Sequence, residues 1–80
     1  MAEIILTRSR DPWTIQIEEL GVGHGQKHTL HLYGPEDQTK SVTYNDGDQA
    51  RLESINALRY PDRFIRYGPL SKWPKKLRPL

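Results

Sequence analysis

The 80-residue chain has room for one domain, and its hydrophobic content of 35% predicts a small core. The chain has no cysteine, which excludes disulfides and thiolate chemistry and favours a cytoplasmic protein. No apolar run approaches membrane-spanning length, and the first residues lack the pattern of a signal peptide, so we expect no membrane association.

The formal net charge of +2 conceals a strongly polarised chain. Residues 59–80 contain seven basic residues and one acid, which gives a local net charge of +6. Residues 1–58 contain five basic residues and nine acids, which gives −4. An asymmetry of this size is informative about partners rather than about the fold.

Four short segments alternate apolar and polar residues, as half-buried strands do. The clearest is Trp13–Glu19, where Trp13, Ile15 and Ile17 share one face. Short connections between consecutive segments favour antiparallel pairing. The predicted strands cover 2–7, 13–19, 28–33 and 38–44, with a glycine-rich loop over 21–27 and a Gly-Pro turn over 34–37.

A helix is predicted after Asp46, which stands with Gln49 at capping-box spacing. Leu52, Ile55 and Leu58 form its apolar stripe, and Pro61 ends it.

Residues 63–67 favour one more strand over a helical turn. The prolines beyond Gly68 argue against packed regular structure. The sequence therefore predicts an α+β domain over residues 1–67, in which one helix covers a three- to four-stranded antiparallel sheet, followed by an extended basic tail over 68–80.

Chemistry-bearing residues do not form a recognisable catalytic or metal site. His24, His28 and His31 could attract zinc, but a strand directs His28 and His31 to opposite faces. The loop Gly21–Gly25 lacks the Lys-Ser/Thr of a phosphate-binding loop. Serines and carboxylates are scattered over turns and wet strand faces. We therefore expect a non-enzymatic protein without metal or cofactor.

The basic tail carries the strongest functional signal, because it combines cations with aromatic side chains. On a protein, Trp73 could fill a pocket while lysines and arginines face an acidic rim. On a nucleic acid, the cations could contact phosphates while Trp73 or Tyr67 stacks on a base. The predicted partner-binding residues are Arg63, Arg66, Tyr67, Lys72, Trp73, Lys75, Lys76 and Arg78.

Two further interpretations of the tail remain open. It could be a solubilising terminus, folded back on its own acidic body or crossing to a second subunit in a homo-oligomer. Under the first interpretation, in which the tail docks on a protein partner, removal of residues 69–80 should abolish binding and leave the melting temperature nearly unchanged.

The order strand–strand–strand–helix over roughly 13–58 resembles the DNA-binding modules of phage-type integrases and of a class of plant transcription factors. Those modules place Arg and Lys on the sheet face that enters the major groove. The corresponding wet positions here are nearly uncharged, which speaks against groove binding by the sheet: Thr14, Gln16, Glu18, Thr29, His31, Thr39, Ser41 and Thr43.

The chain is short, has no cysteine and is predicted to form one α+β domain. In these respects it also resembles small phage-encoded inhibitors such as anti-CRISPR proteins, which act by blocking a larger protein complex. The function expected from the sequence is thus a protein-binding inhibitor or adaptor that docks on an acidic surface of a protein or ribonucleoprotein. The alternative is a nucleic-acid-binding module that uses Arg59, Arg63, Arg66 and the lysines of the basic tail.

Overall fold

The computed structural model describes residues 3–21 and 27–79 as a four-stranded antiparallel sheet followed by two helices. The strands, in both sequence and spatial order, are β1 (Glu3–Arg10), β2 (Trp13–Leu20), β3 (Lys27–Tyr33) and β4 (Thr39–Tyr44). The helices are α1 (Gly47–Arg59) and α2 (Pro61–Tyr67). The predicted α+β architecture with an antiparallel sheet is confirmed. In the described ranges, no helix is both long and apolar enough to span a membrane.

Strands β2, β3 and β4 each have a buried face and an open face, as predicted. Ile15 and Ile17 of β2 lie beside Leu32 and Leu30 of β3, and all four side chains are fully buried. The strand register places the predicted wet positions together on the opposite face. The sheet thus has one apolar side, which the helices cover, and one polar side, which they leave open.

Helix α1 begins where the sequence predicts, because the Asp46 carboxylate accepts a hydrogen bond from the Asp48 N–H at 2.9 Å. Its buried face consists of Ala50, Glu53, Ser54 and Ala57 rather than the leucine and isoleucine stripe. Small side chains allow the helix to lie close to the sheet. The prediction that Leu52 and Ile55 face the core is wrong, since they are 65% and 42% exposed.

The predicted arrangement of strand β1 also needs correction. Ile4 aligns with Glu18 and Leu6 with Ile17, so the register shifts between them and Ile5 is the extra residue of a β-bulge. Ile4 and Leu6 therefore lie on opposite faces of the sheet, whereas strict alternation had predicted that they share one. The strand also continues to Arg10, well beyond the predicted end.

The prediction of a strand over 63–67 is wrong, because these residues belong to α2. Pro61 is the first residue of this helix, where a proline loses no hydrogen bond. The negative charge of Asp62 in the first turn stabilises the helix by interacting with the positive end of its dipole. Phe64 is fully buried against the core. The sheet is therefore covered by two helices instead of one.

Candidate functional site

The basic tail does not extend freely from the domain, because Trp73 is part of the hydrophobic core. Its side chain is only 1% exposed, and its indole N–H donates to the Gly68 carbonyl oxygen at 2.9 Å. The Tyr60 ring meets it edge-to-face, with 6.1 Å between ring centroids. This position corrects the interpretation of Trp73 as an exposed anchor, and it brings the chain beyond Gly68 back onto the domain.

Gly68 provides the bend that returns the chain to the core. Its φ of 85° lies in the left-handed region, which an L side chain rarely adopts. The same residue ends α2, where its N–H donates to the Phe64 carbonyl at 2.8 Å. The glycine thus links the end of the helix to the start of the tail.

A buried carboxylate fixes the next part of the tail. Glu53 of α1 is 6% exposed and accepts hydrogen bonds from the Leu70 N–H at 3.1 Å and from the Tyr44 hydroxyl at 3.3 Å. Burial, reinforced by the Glu53 carboxylate, raises the pKa of the Tyr44 hydroxyl well above its ordinary value. The hydroxyl therefore remains a donor, and β4, α1 and the tail meet at one carboxylate.

Two single-turn 3-10 helices shape the tail, over Leu70–Lys72 and Lys75–Leu77. Each is preceded by a proline whose carbonyl accepts from the residue three positions later, at 2.9 Å in both cases. The expectation that the tail prolines exclude packed structure is wrong, because here they initiate the turns.

Two arginines connect the turns, one to α2 and one to each other. Arg63 of α2 donates to the Leu77 carbonyl at 2.7 Å. Arg78 donates to the Trp73 carbonyl at 3.0 Å and to the Ser71 carbonyl at 3.1 Å. These contacts bring α2 and the second turn together, so the basic residues of both occupy a defined arrangement.

We use "basic segment" for residues 59–78, which contain all seven cations of the C-terminal part. Arg63 is half-buried, and the other six cations are exposed: Arg59, Arg66, Lys72, Lys75, Lys76 and Arg78. Across residues 3–21 and 27–79, the ion pairs are His28–Glu19 and His31–Glu18, so none involves the basic segment. The acidic body therefore does not neutralise these charges through direct contacts.

The tyrosines of the basic segment also lie next to cations. The Arg66 guanidinium carbon is 5.7 Å from the centroid of the Tyr67 ring, and that of Arg63 is 4.5 Å from the Tyr60 ring. Tyr67 is half-buried and packs against the core. The aromatic surface available for stacking on a nucleic-acid base is accordingly small.

The open sheet face carries a hydrogen-bonded network centred on His31. Its Nδ1 lies 2.7 Å from the Ser41 hydroxyl, and its Nε2 lies 3.3 Å from the Glu18 carboxylate. Thr29 and Thr43 pair through their hydroxyls at 3.0 Å on the same face. The face offers many hydrogen-bonding groups, and none of its predicted wet positions is a lysine or an arginine.

The histidines do not form a metal site in the part of the chain that the structure describes, where no cluster of three or more His, Asp or Glu residues is suitable. His28 and His31 lie on opposite faces of β3, as predicted, and contact different glutamates. His24 and most of the predicted glycine-rich loop lie outside the described residues. Residues 3–21 and 27–79 also form no detectable pocket.

The predicted partner-binding residues differ in exposure. Trp73 is buried, Arg63 and Tyr67 are half-buried, and the exposed ones are Arg66, Lys72, Lys75, Lys76 and Arg78. Sequence reasoning missed Glu53 as the carboxylate that fixes the tail. Its position on a helix face of small residues, beside Ala50, Ser54 and Ala57, was the available signal.

Comparisons with models of protein families, with curated proteins and with solved structures find no match.

Proposed function

We propose that this chain is a small non-enzymatic binding module that docks through its basic segment on an acidic surface of a larger protein or ribonucleoprotein. The observation that carries the proposal is a set of exposed cations on turns anchored to the core, without a carboxylate partner in the described chain. By occupying such a surface, the module would act as an inhibitor or an adaptor.

The anchoring of the turns supports binding by a preorganised surface. Trp73 and Leu70 hold the first turn through contacts to Gly68 and Glu53, and Arg63 holds the second through Leu77. Lysines on a fixed backbone lose less freedom on binding than lysines on a disordered tail. The site then depends on the positions of Lys72, Lys75 and Lys76 rather than on an inserted aromatic side chain.

The charge distribution favours a protein partner over a nucleic acid. Residues 1–58 have a formal charge of −4, which repels an extended phosphate backbone, and the open sheet face supplies no cation at its predicted wet positions. A local acidic patch matches the basic segment without meeting this repulsion. With Trp73 buried, stacking on unpaired bases within the basic segment would fall to Tyr60 and Tyr67, which are both half-buried.

Charge-neutralising variants test the proposal. The variant K72Q/K75Q/K76Q removes three exposed charges, and R8Q/K27Q/R51Q is a matched control that removes three exposed charges from the body. Exposed ion pairs contribute about 0.2–1 kcal/mol each, so three of them predict roughly a 3- to 150-fold loss of affinity.

The measurement is quantitative capture of proteins from a nuclease-treated cell lysate, followed by titration of the captured partner. We expect the lysine variant to bind more weakly by the factor given above, while the control retains its affinity. Equal affinity of the two triple variants would refute docking through the basic segment.

A nucleic-acid partner is the second candidate, because five exposed cations make no hydrogen bond to a backbone carbonyl in the described chain: Arg59, Arg66, Lys72, Lys75 and Lys76. Five phosphate contacts predict a log–log salt slope of about −4.5 on duplex DNA. Titration of a labelled DNA duplex and a labelled RNA strand at several salt concentrations measures it. Absence of binding at low salt eliminates this candidate.

A further inference from the structure

The outer edge of β1 is the longest unpaired strand edge in the described part of the chain. β1 is the first strand of the sheet and pairs only with β2, so its outward N–H and C=O groups have no partner strand. Along its eight residues only Leu6 is partly buried, and Ile4 and Ile5 are 45% and 37% exposed. An exposed edge of this length with apolar side chains is suited to adding another strand.

Charges at the two ends of β1 are complementary. Glu3 begins the strand and Arg10 ends it, and both lie on the helix-covered side of the sheet, since they align with Glu19 and Trp13. Neither takes part in an ion pair within the described ranges. Glu3 also lies opposite a like charge, Glu19, which disfavours the isolated arrangement. An added strand with a cation opposite Glu3 would offset this repulsion.

We propose that β1 pairs with β1 of a second copy of this chain, antiparallel and about a two-fold axis at Thr7, to form a continuous eight-stranded sheet. The proposal is independent of docking by the basic segment, which lies on other elements.

The bulge determines this register. Because Ile5 is extra, β1 presents seven register positions, and Thr7 is the central one. Pairing about Thr7 places Glu3 of each copy opposite Arg10 of the other, and Ile4 opposite Ser9. It also places Leu6 opposite Arg8, whose aliphatic stem can cover the leucine. Every pair keeps both residues on the same face of the sheet, as antiparallel pairing about a two-fold axis requires.

Without the bulge the same charges could not meet. An uninterrupted strand from residue 3 to residue 10 has an even number of positions, so pairing Glu3 with Arg10 would align residues that point to opposite faces. Within one chain the two side chains lie about 20 Å apart along the strand, beyond the screening length at physiological salt. A direct interaction between Glu3 and Arg10 is therefore possible only between two copies.

Charge reversal with sedimentation analysis tests the pairing. The wild-type chain should shift with concentration, from micromolar to millimolar, toward twice its mass of 9.3 kDa. The single variants E3R and R10E each place like charges opposite one another and should weaken dimerisation at least about tenfold. Circular dichroism checks that each variant remains folded.

Mixing the two single variants provides the decisive readout. In the mixed dimer, the arginine introduced by E3R in one copy would face the glutamate introduced by R10E in the other. The unchanged Arg10 of the first copy would face the unchanged Glu3 of the second, so both pairs are attractive again. We expect an equimolar mixture, and likewise the double variant E3R/R10E, to dimerise like the wild type.

Three results would overturn the proposal. The first is a wild-type chain that stays monomeric at millimolar concentration, which would leave the edge free for a strand of another protein. The second is dimerisation of the single variants as strong as that of the wild type, as expected if the tails were exchanged between copies. The third is an equimolar mixture of the two single variants that stays monomeric.

Discussion

Replacement of Trp73 by alanine tests whether the basic segment is anchored in the core. The side chain is 1% exposed and contributes to the same cluster as Phe64 and the four central strand residues. Removing a buried tryptophan costs about 3–5 kcal/mol, and the lost hydrogen bond to Gly68 about 1 kcal/mol more. An 80-residue domain has a total stability of roughly 4–12 kcal/mol, so W73A should lose a third of it or more.

Urea and thermal unfolding followed by circular dichroism measure the effect. We expect the melting temperature of W73A to fall by more than about 10 °C, because 1 kcal/mol corresponds to about 4–8 °C in a domain of this size. Trp73→Phe keeps most of the volume but leaves the Gly68 carbonyl without its donor, and should lie between wild type and W73A. The exposed control K76A should remain within about 0.5 kcal/mol of wild type.

A melting temperature of W73A equal to that of K76A would refute the anchoring of the tail. For removal of residues 69–80, the buried position of Trp73 predicts the opposite of the unchanged melting temperature expected from the sequence. That truncation deletes Trp73 from the core and the Leu70 N–H from Glu53, so it should destabilise the fold. Loss of binding on truncation therefore does not identify the binding residues, whereas the lysine variant does.

Three further predictions concern the buried contacts. Because the pKa of Tyr44 is raised, its proton is held more tightly in the folded state than in the unfolded state. The free energy of unfolding should therefore fall above about pH 10, by up to about 1.4 kcal/mol per pH unit. Denaturant titrations at several pH values measure this slope, and Y44F should lack the part that Tyr44 contributes. Glu53→Ala leaves the Tyr44 hydroxyl and the Leu70 N–H buried without an acceptor and should cost about 2–4 kcal/mol in urea unfolding; a loss below about 0.5 kcal/mol would contradict the role of the carboxylate. Gly34→Ala should lower the melting temperature, because a Cβ there would lie 2.1 Å from the Trp13 ring; an unchanged melting temperature would contradict this packing.

The sheet could be predicted from the sequence because apolar and polar residues alternate along β2, β3 and β4. Trp13, Ile15 and Ile17 repeat every second residue, and this period is typical of a half-buried strand rather than of a helix. The start of α1 was equally readable from Asp46, whose short carboxylate reaches an N–H of the first turn. The polar face was predicted for the same reason, since the period that identifies the buried side also identifies the open one.

The errors arise where local pattern and tertiary packing disagree. Leu52 and Ile55 suggested the buried stripe of α1, but the sheet accepts the narrower face of Ala50 and Ala57. The bulge at Ile5 places Ile4 and Leu6 on opposite faces of the sheet, and no residue type in β1 signals it. For 63–67 a strand was predicted over a helical turn, although Pro61 and Asp62 are signals of a helix start.

The tail was misjudged because its composition indicates solvent exposure. Pro69, Pro74 and the surrounding lysines predict an extended segment, and only the position of Trp73 relative to Gly68 and Tyr60 brings it into the core. Six of the seven cations are exposed and Arg63 is half-buried. Their arrangement follows from contacts between distant residues, such as Arg63 with Leu77. Such contacts have no local sequence pattern.

Native-state hydrogen exchange of the Trp73 indole N–H, observed by NMR, tests most directly that the core anchors the basic segment. This N–H donates to the Gly68 carbonyl in a buried position. The anchoring predicts that it exchanges only through global unfolding, with a protection free energy close to that of the core amides of β2 and β3. Exchange of this proton at the rate of a free indole would contradict the anchoring and the preorganised display of the lysines.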